Sequence, residues 1–147
     1  MSLIEKIESD LKEAMRTRNE LRTGTLRLTL AALRSSEKEL GRPLKDDEEL
    51  QVLQRERKRR TEAAEAFRDA GREEQASQEE HELEVIEEFM PEPLAEDELE
   101  RIVDDAIAET GATSLRDLGR VMADVMPQVA GRADGSTVSQ LVREKLA

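Results

Sequence analysis

The chain has 147 residues, with 23 Lys and Arg against 35 Asp and Glu, a net charge of −12, and its only aromatic residues are Phe67 and Phe89. It lacks cysteine and has one histidine, His81, which excludes disulfides, thiolate metal sites, cysteine nucleophiles and multi-histidine metal centres. No apolar run approaches the roughly 20 residues that cross a bilayer, and the early charges of Met1-Ser2-Leu3-Ile4-Glu5-Lys6 lack a secretory pattern, so the reading is a cytoplasmic protein without membrane, metal or cofactor.

Abundant Glu, Arg, Ala and Leu, few β-branched residues and no alternating strand pattern predict an all-α fold. In the first helix Leu3, Ile4, Ile7, Leu11, Ala14 and Met15 form one stripe, and Ser2 is placed to cap it. The second, Glu20–Leu40, puts Leu26, Leu30, Leu33 and Leu40 on one side, widened by Leu21, Leu28 and Ala32. So wide an apolar arc predicts a central helix with several neighbours. Its narrow polar side carries a basic stripe, Arg27, Arg34 and Lys38.

After Gly41-Arg42-Pro43, Asp46 or Asp47 is expected to cap a long helix that Gly71 stops, with Leu50, Leu53, Ala64 and Phe67 inward. Within its basic run Arg55, Lys58 and Arg59 point outward. Arg57 and Arg60 point toward the apolar side, where an arginine lays its stem on the core and pairs with a carboxylate. A fourth helix over 73–89 carries Leu83, Ile86 and Phe89 and ends before Pro91. Residues 1–90 thus read as an antiparallel bundle of long helices, and 91–95 as a linker.

Residues 96–147 read as a small three-helix tail domain. Its first helix buries Leu99, Ile102, Val103, Ala106 and Ile107. The second starts at Ser114 and Asp117, presents Leu115, Leu118, Met122 and Val125, and is interrupted at Pro127. Asp134 caps the third, which buries Val138, Leu141 and Val142. Residues 91–109 set Arg101 against eight acids, while residues 120–147 set Arg120, Arg132, Arg143 and Lys145 against three. The acidic molecule therefore ends in two mildly basic helices.

The chemistry is sparse. No phosphate-binding glycine loop, zinc-helix motif or serine relay is present, and the paired acids Asp46-Asp47 and Asp104-Asp105 read as solvated surface. The Gly131-Arg132-Ala133-Asp134-Gly135 loop has two readings. It is an anion site made of helix-opening amides reinforced by Arg132, or a plain connection with a C-cap glycine and an Asp N-cap. The stripe Arg27, Arg34 and Lys38 likewise reads as a binding face or as the solvated side of a helix.

Taken in order along the chain, Leu26-Arg27-Leu28-Thr29-Leu30-Ala31-Ala32-Leu33-Arg34, the basic segment 55–60 leading to Glu65-Ala66-Phe67-Arg68-Asp69-Ala70-Gly71-Arg72, Phe89-Met90-Pro91-Glu92-Pro93-Leu94, Gly119-Arg120-Val121-Met122, Met126-Pro127 and the 131–135 loop carry a resemblance. The sequence is similar, over nearly its whole length, to the YqeY-like family. These are small bacterial proteins related to the tail of the B subunit of glutamyl-/aspartyl-tRNA amidotransferase. The resemblance implies a helical bundle followed by a helical tail that contacts tRNA. Glutamine hydrolysis, phosphoryl activation and transamidation belong to other parts of that enzyme, so a carbon–nitrogen ligase label with glutamine as amido-N-donor comes by association. By position, the implied nucleic-acid surface includes Arg120, Arg132, Arg143 and Lys145. Gln128, Ala130 and Ser136 stand where the family pattern implies Lys or Arg. A tail without aromatics lacks the platforms on which single-strand bases stack, which points to a folded RNA read by shape and backbone.

Three functions follow as expectations: an accessory protein that binds tRNA or a protein of the tRNA-charging pathway, an acidic helical adaptor with no RNA role, and an enzyme. Without a nucleophile, metal ligands or a phosphate loop, no catalytic residue is assigned.

Overall fold

A computed structural model describes residues 1–147. It contains seven α-helices, one 3-10 turn and no strand. Two compact units divide the chain, Met1–Met90 and Pro91–Ala147.

The first unit is an antiparallel bundle of α1 (Leu3–Arg16), α2 (Glu20–Leu40), α3 (Asp46–Asp69) and α4 (Glu73–Glu87). Ser2 caps α1 reciprocally: the Glu5 amide donates to Ser2 Oγ and the Ser2 amide to Glu5 Oε2, both at 3.2 Å. As its apolar arc requires, α2 is central and packs against α1, α3 and α4. Ile7, Leu26, Leu33, Leu53 and Ile86 are enclosed in the core.

Three predicted core residues are about half exposed: Met15 at 50%, Leu28 at 59% and Leu40 at 48%. Periodicity gives direction, whereas burial needs a neighbour on that side. Leu28 instead lines an open groove with Ala31, Ala32, Arg59 and Ala63. Asp46 and Asp47 do not cap α3 either. They lie inside its first turn, where their charge favours the helix dipole, and Lys45 holds the cap position with its amide donating to Glu48 Oε1 at 2.9 Å.

The inward arginine of α3 lies as its helical position predicts. Arg60 is 7% exposed, and its Nη1 bridges Glu82 Oε2 at 2.7 Å and Glu79 Oε2 at 3.6 Å on α4. Arg57 approaches Glu87 at 4.0 Å, and Arg68 holds Glu73 and Glu80. Small buried residues, Ala64 and Ala76, let the two helices approach while charged pairs line their seam.

In the second unit α5 (Glu96–Thr110) leads through a 3-10 turn at Leu115–Asp117 into α6 (Leu118–Val129) and then α7 (Gly135–Leu146). The core is built on valine: Val103, Val121, Val125, Val129, Val138 and Val142 are all fully buried. Leu115 falls in the 3-10 turn and is 52% exposed rather than packed. Pro127 does not stop α6. The proline removes one amide donor, the one that would reach Ala123 O, yet the helix continues for two more residues to the fully buried Val129. Residues 91–95 are not helical, yet they are anchored: the Leu94 amide donates to Arg132 O at 2.8 Å.

Candidate nucleic-acid interface

The bundle cations sit on one face. Arg27, Arg34 and Lys38 are all exposed along α2, at positions spaced for a single side. Opposite them on α1, Glu8 pairs with Arg34, and the Met15 sulfur accepts a weak contact from Arg27 Nη2 at 3.8 Å. Lys38 forms no ion pair, and Arg27 makes none beyond its contact with the thioether. Both therefore present their charge to solvent.

Tail cations are engaged differently. Arg120 Nη2 reaches Asp117 Oδ1 at 2.7 Å, and its Nη1 donates to Thr110 O at 3.2 Å. The Asp117 carboxyl is held below its ordinary value, first by the Thr113 amide and then by Arg120. Arg132 turns back toward the segment before α5, with Nε donating to Glu92 O at 2.9 Å and Nη2 lying 4.0 Å from Glu98. Lys145 Nζ sits 2.9 Å from Asp104 Oδ1 on α5, and this carboxylate raises the pKa of the ammonium. Arg143 touches only Ser139 Oγ, at 3.4 Å, and is exposed. Arg143 and Lys145 stand about 200° apart around α7, so the tail cations do not converge.

The 131–135 loop is ordered by its own residues. Arg132 N–H donates to Val129 O at 2.7 Å across Ala130 (φ −39, ψ 117) and Gly131 (φ 70), a type II turn whose third position requires glycine. Asp134 then accepts from the Ser136 amide at 3.4 Å, placing a carboxylate where an external anion would meet the opening of α7. Gly135 is not left-handed, and a Cβ there would meet Met126 at an ordinary 3.6 Å. His81 is exposed and lines an open groove of about 680 Å³ with Glu20, Glu73, Glu74 and Glu82. No group of three or more His, Cys, Asp or Glu side chains is arranged to hold a metal ion, and no helix is long and apolar enough to cross a membrane.

The family model for YqeY-like proteins matches residues 4–146. The chain belongs to the YqeY-like family. It is 30% identical over 146 residues to altered inheritance of mitochondria protein 41, mitochondrial, of Pyrenophora tritici-repentis, a match covering 97% of this chain and 80% of that protein. It is also 35% identical over 88 residues to the E subunit of glutamyl-tRNA(Gln) amidotransferase from Thermococcus gammatolerans, a match covering 57% of this chain and 14% of that much longer polypeptide.

In this YqeY-like protein the α2 stripe has neighbours that helical periodicity alone does not single out. Lys12 and Arg16 on α1 and Arg18 in the turn between α1 and α2 are exposed as well. The signal is present in the helical spacing of Lys12, Met15 and Arg16, but it is hidden as long as Met15 is assigned to the core.

Proposed function

We propose that this YqeY-like protein is an accessory of the tRNA-charging pathway that binds tRNA and has no bond-making chemistry of its own. One observation carries the reading: the similarity over 88 residues to part of a glutamyl-tRNA(Gln) amidotransferase. The exposed cations of α2 and Arg143 supply groups able to meet phosphates, and the lack of aromatics in the tail points to backbone contact over base stacking. The setting in this reading is the bacterial cytoplasm.

Filter binding of the purified chain to bulk bacterial tRNA at low and raised salt tests it. Binding at low salt that weakens steeply as salt rises is expected, because phosphate neutralisation releases counterions. No binding at low salt overturns the proposal.

A second reading, an acidic adaptor for a basic protein partner, is favoured by the net charge of −12 and the glutamate-lined groove around His81. Recovery of a stable protein complex that survives nuclease treatment, from a chain that ignores tRNA, selects it.

A further inference from the structure

We infer that the turn end of the α1–α2 hairpin, with Lys12, Arg18 and Arg27 at its centre, is the surface that grips RNA phosphates, ahead of the tail. This inference rests on the tRNA-binding reading and specifies where the contact lies.

Charge is the first observation. Residues 11–34 hold Lys12, Arg16, Arg18, Arg22, Arg27 and Arg34 against only Glu13 and Glu20, a net of +4 in a chain of net −12. Pairing is the second. Arg16 is neutralised by Glu13 at 2.5 Å, Arg34 by Glu8, and Arg22 by Glu88 at 2.5 Å and Asp10 at 3.5 Å. Lys12 and Arg18 are exposed without an ion pair, and Arg27 has only its contact with Met15. In the tail, by contrast, Arg120, Arg132 and Lys145 are all engaged by the tail's own acids and carbonyls.

Register places Lys12 on the side of α1 that meets Arg27. Met15 meets Arg27 and Glu8 meets Arg34, which is the pairing of two antiparallel helices. Lys12 therefore lies between those two contacts, one turn from Met15 on the same side of α1. Arg18 follows at the turn itself.

The third observation is conformational. Arg18 has φ +57, and every other left-handed residue in the chain is a glycine: Gly41, Gly71, Gly111 and Gly131. Glycine adopts this conformation without strain, whereas an arginine does not. Here the left-handed residue closes α1, with the Arg18 amide donating to Met15 O at 3.2 Å and the Asn19 amide to Ala14 O at 2.9 Å, and the turn leaves the Arg18 side chain exposed and without an ion pair. The face is shallow, and Met15 is its one large exposed apolar residue, so it lacks the apolar centre of a protein interface. Flexible cations around a polar surface suit repeated phosphates.

The test is a salt titration of tRNA binding by the full chain, comparing wild type, Arg18→Gly, the triple variant Lys12→Ala/Arg18→Gly/Arg27→Ala, and Arg143→Ala. Each lost phosphate contact should flatten the slope of log affinity against log salt by about 0.7 to 0.9. The triple variant should therefore lose roughly two units of slope and Arg18→Gly roughly one, with Arg18→Gly still folded and at least as stable. Arg143→Ala should change the slope less than the triple variant does. A wild-type chain that ignores tRNA at low salt overturns this inference and the proposed function together. A triple variant with the wild-type slope, or a larger loss from Arg143→Ala, overturns only the placement. Competition by polyglutamate as effective as competition by tRNA overturns RNA as the partner.

Discussion

The two units are both all-helical, but they are held together by different chemistry. In the bundle, the contact between α3 and α4 is the most extensive in the protein, and Arg57, Arg60 and Arg68 seam it to glutamates of the facing helix. The tail uses almost nothing but shape: six fully buried valines on three short helices, with its ion pairs at the surface. A stiff β-branched side chain fills a small core with little rotamer freedom to lose. Long helices meeting along a narrow line have fewer fully enclosed positions, and there an arginine covers apolar surface with its stem while its head finds a carboxylate. The contrast shows that net charge describes neither unit: arginine is structural in the bundle seam, tied down in most of the tail, and free only on selected faces.

The largest test of this contrast is Arg60→Met. The change keeps the apolar stem but leaves Glu79 and Glu82 facing each other, partly buried and without a counter-charge. Removing one partner of a buried ion pair costs about 3–5 kcal/mol, read as urea unfolding at neutral pH. Burial, and then Glu82, already raise the Glu79 carboxyl above its ordinary value against the pull of Arg60. A raised carboxyl binds its proton more tightly in the folded state, so native Glu79 takes up its proton at a higher pH than it does in the unfolded chain. The loss in Arg60→Met should accordingly shrink between neutral and mildly acidic pH. An equal loss at both would assign the role of Arg60 to packing and remove this difference between the two units.

Core truncations come next. Leu53 and Val125 are each fully enclosed, one in each unit. Leu53→Ala should cost about 2–5 kcal/mol and Val125→Ala about 1.5–3 kcal/mol. The smaller loss should nonetheless have the larger consequence, because a domain of roughly 50–60 residues has little stability to spare. Native-state hydrogen exchange reads this directly. Val125→Ala should accelerate exchange of tail amides, and Leu53→Ala that of bundle amides. Parallel acceleration in both units from either change would show a single cooperative structure.

Much of this architecture is legible in the residues. The stripes of α1 and α2, the Ser2 and Asp134 caps and the inward setting of Arg60 all follow from local rules of periodicity and capping. What escapes is whatever depends on a neighbour. Leu28, Leu40 and Leu115 carry the apolar signal but meet no second element that covers them. For the candidate interface, the α2 row of cations is readable, whereas the partners of Arg120, Arg132 and Lys145 are set by the approach of segments distant in the chain or by turn geometry. Arg18 escapes for another reason: arginine carries no turn signal, so only the backbone reveals its left-handed state.

That residue supplies a smaller test. The tail places glycine at its left-handed positions, Gly111 and Gly131, and the bundle does so everywhere except at Arg18. Relief of the left-handed strain is worth about 1–2 kcal/mol, offset by the roughly 0.5–1 kcal/mol of extra chain entropy that glycine loses on folding. Arg18→Gly should thus raise stability by about 0.5 kcal/mol. The mirror experiment is Gly111→Ala, which meets no atom within 4 Å and so isolates the backbone effect. It should lower stability by about 1 kcal/mol. A destabilised Arg18→Gly would reveal an intramolecular role for the side chain.

The finest distinction concerns two half-buried acids that perform the same task in the two units. Glu48 receives the Lys45 amide at the start of α3, and Asp117 receives the Thr113 and Ser114 amides at the 3-10 turn. Both are held below their ordinary values, but for Glu48 the main cause is the Arg42 guanidinium, which brings it to about 2, whereas for Asp117 it is the Thr113 amide. A lowered carboxyl stabilises the fold above its unfolded pKa, and for Glu48 that contribution disappears as pH falls from about 4.5 toward 2. Because the causes differ, removing the arginines should separate the two groups. Arg42→Ala should move the Glu48 titration far back toward 4.5, while Arg120→Ala should leave Asp117 depressed by the amides that remain. Carboxyl-detected NMR titration reads both shifts, and a full return of Asp117 to its ordinary value in Arg120→Ala would show that side-chain charge governs the tail as it does the bundle.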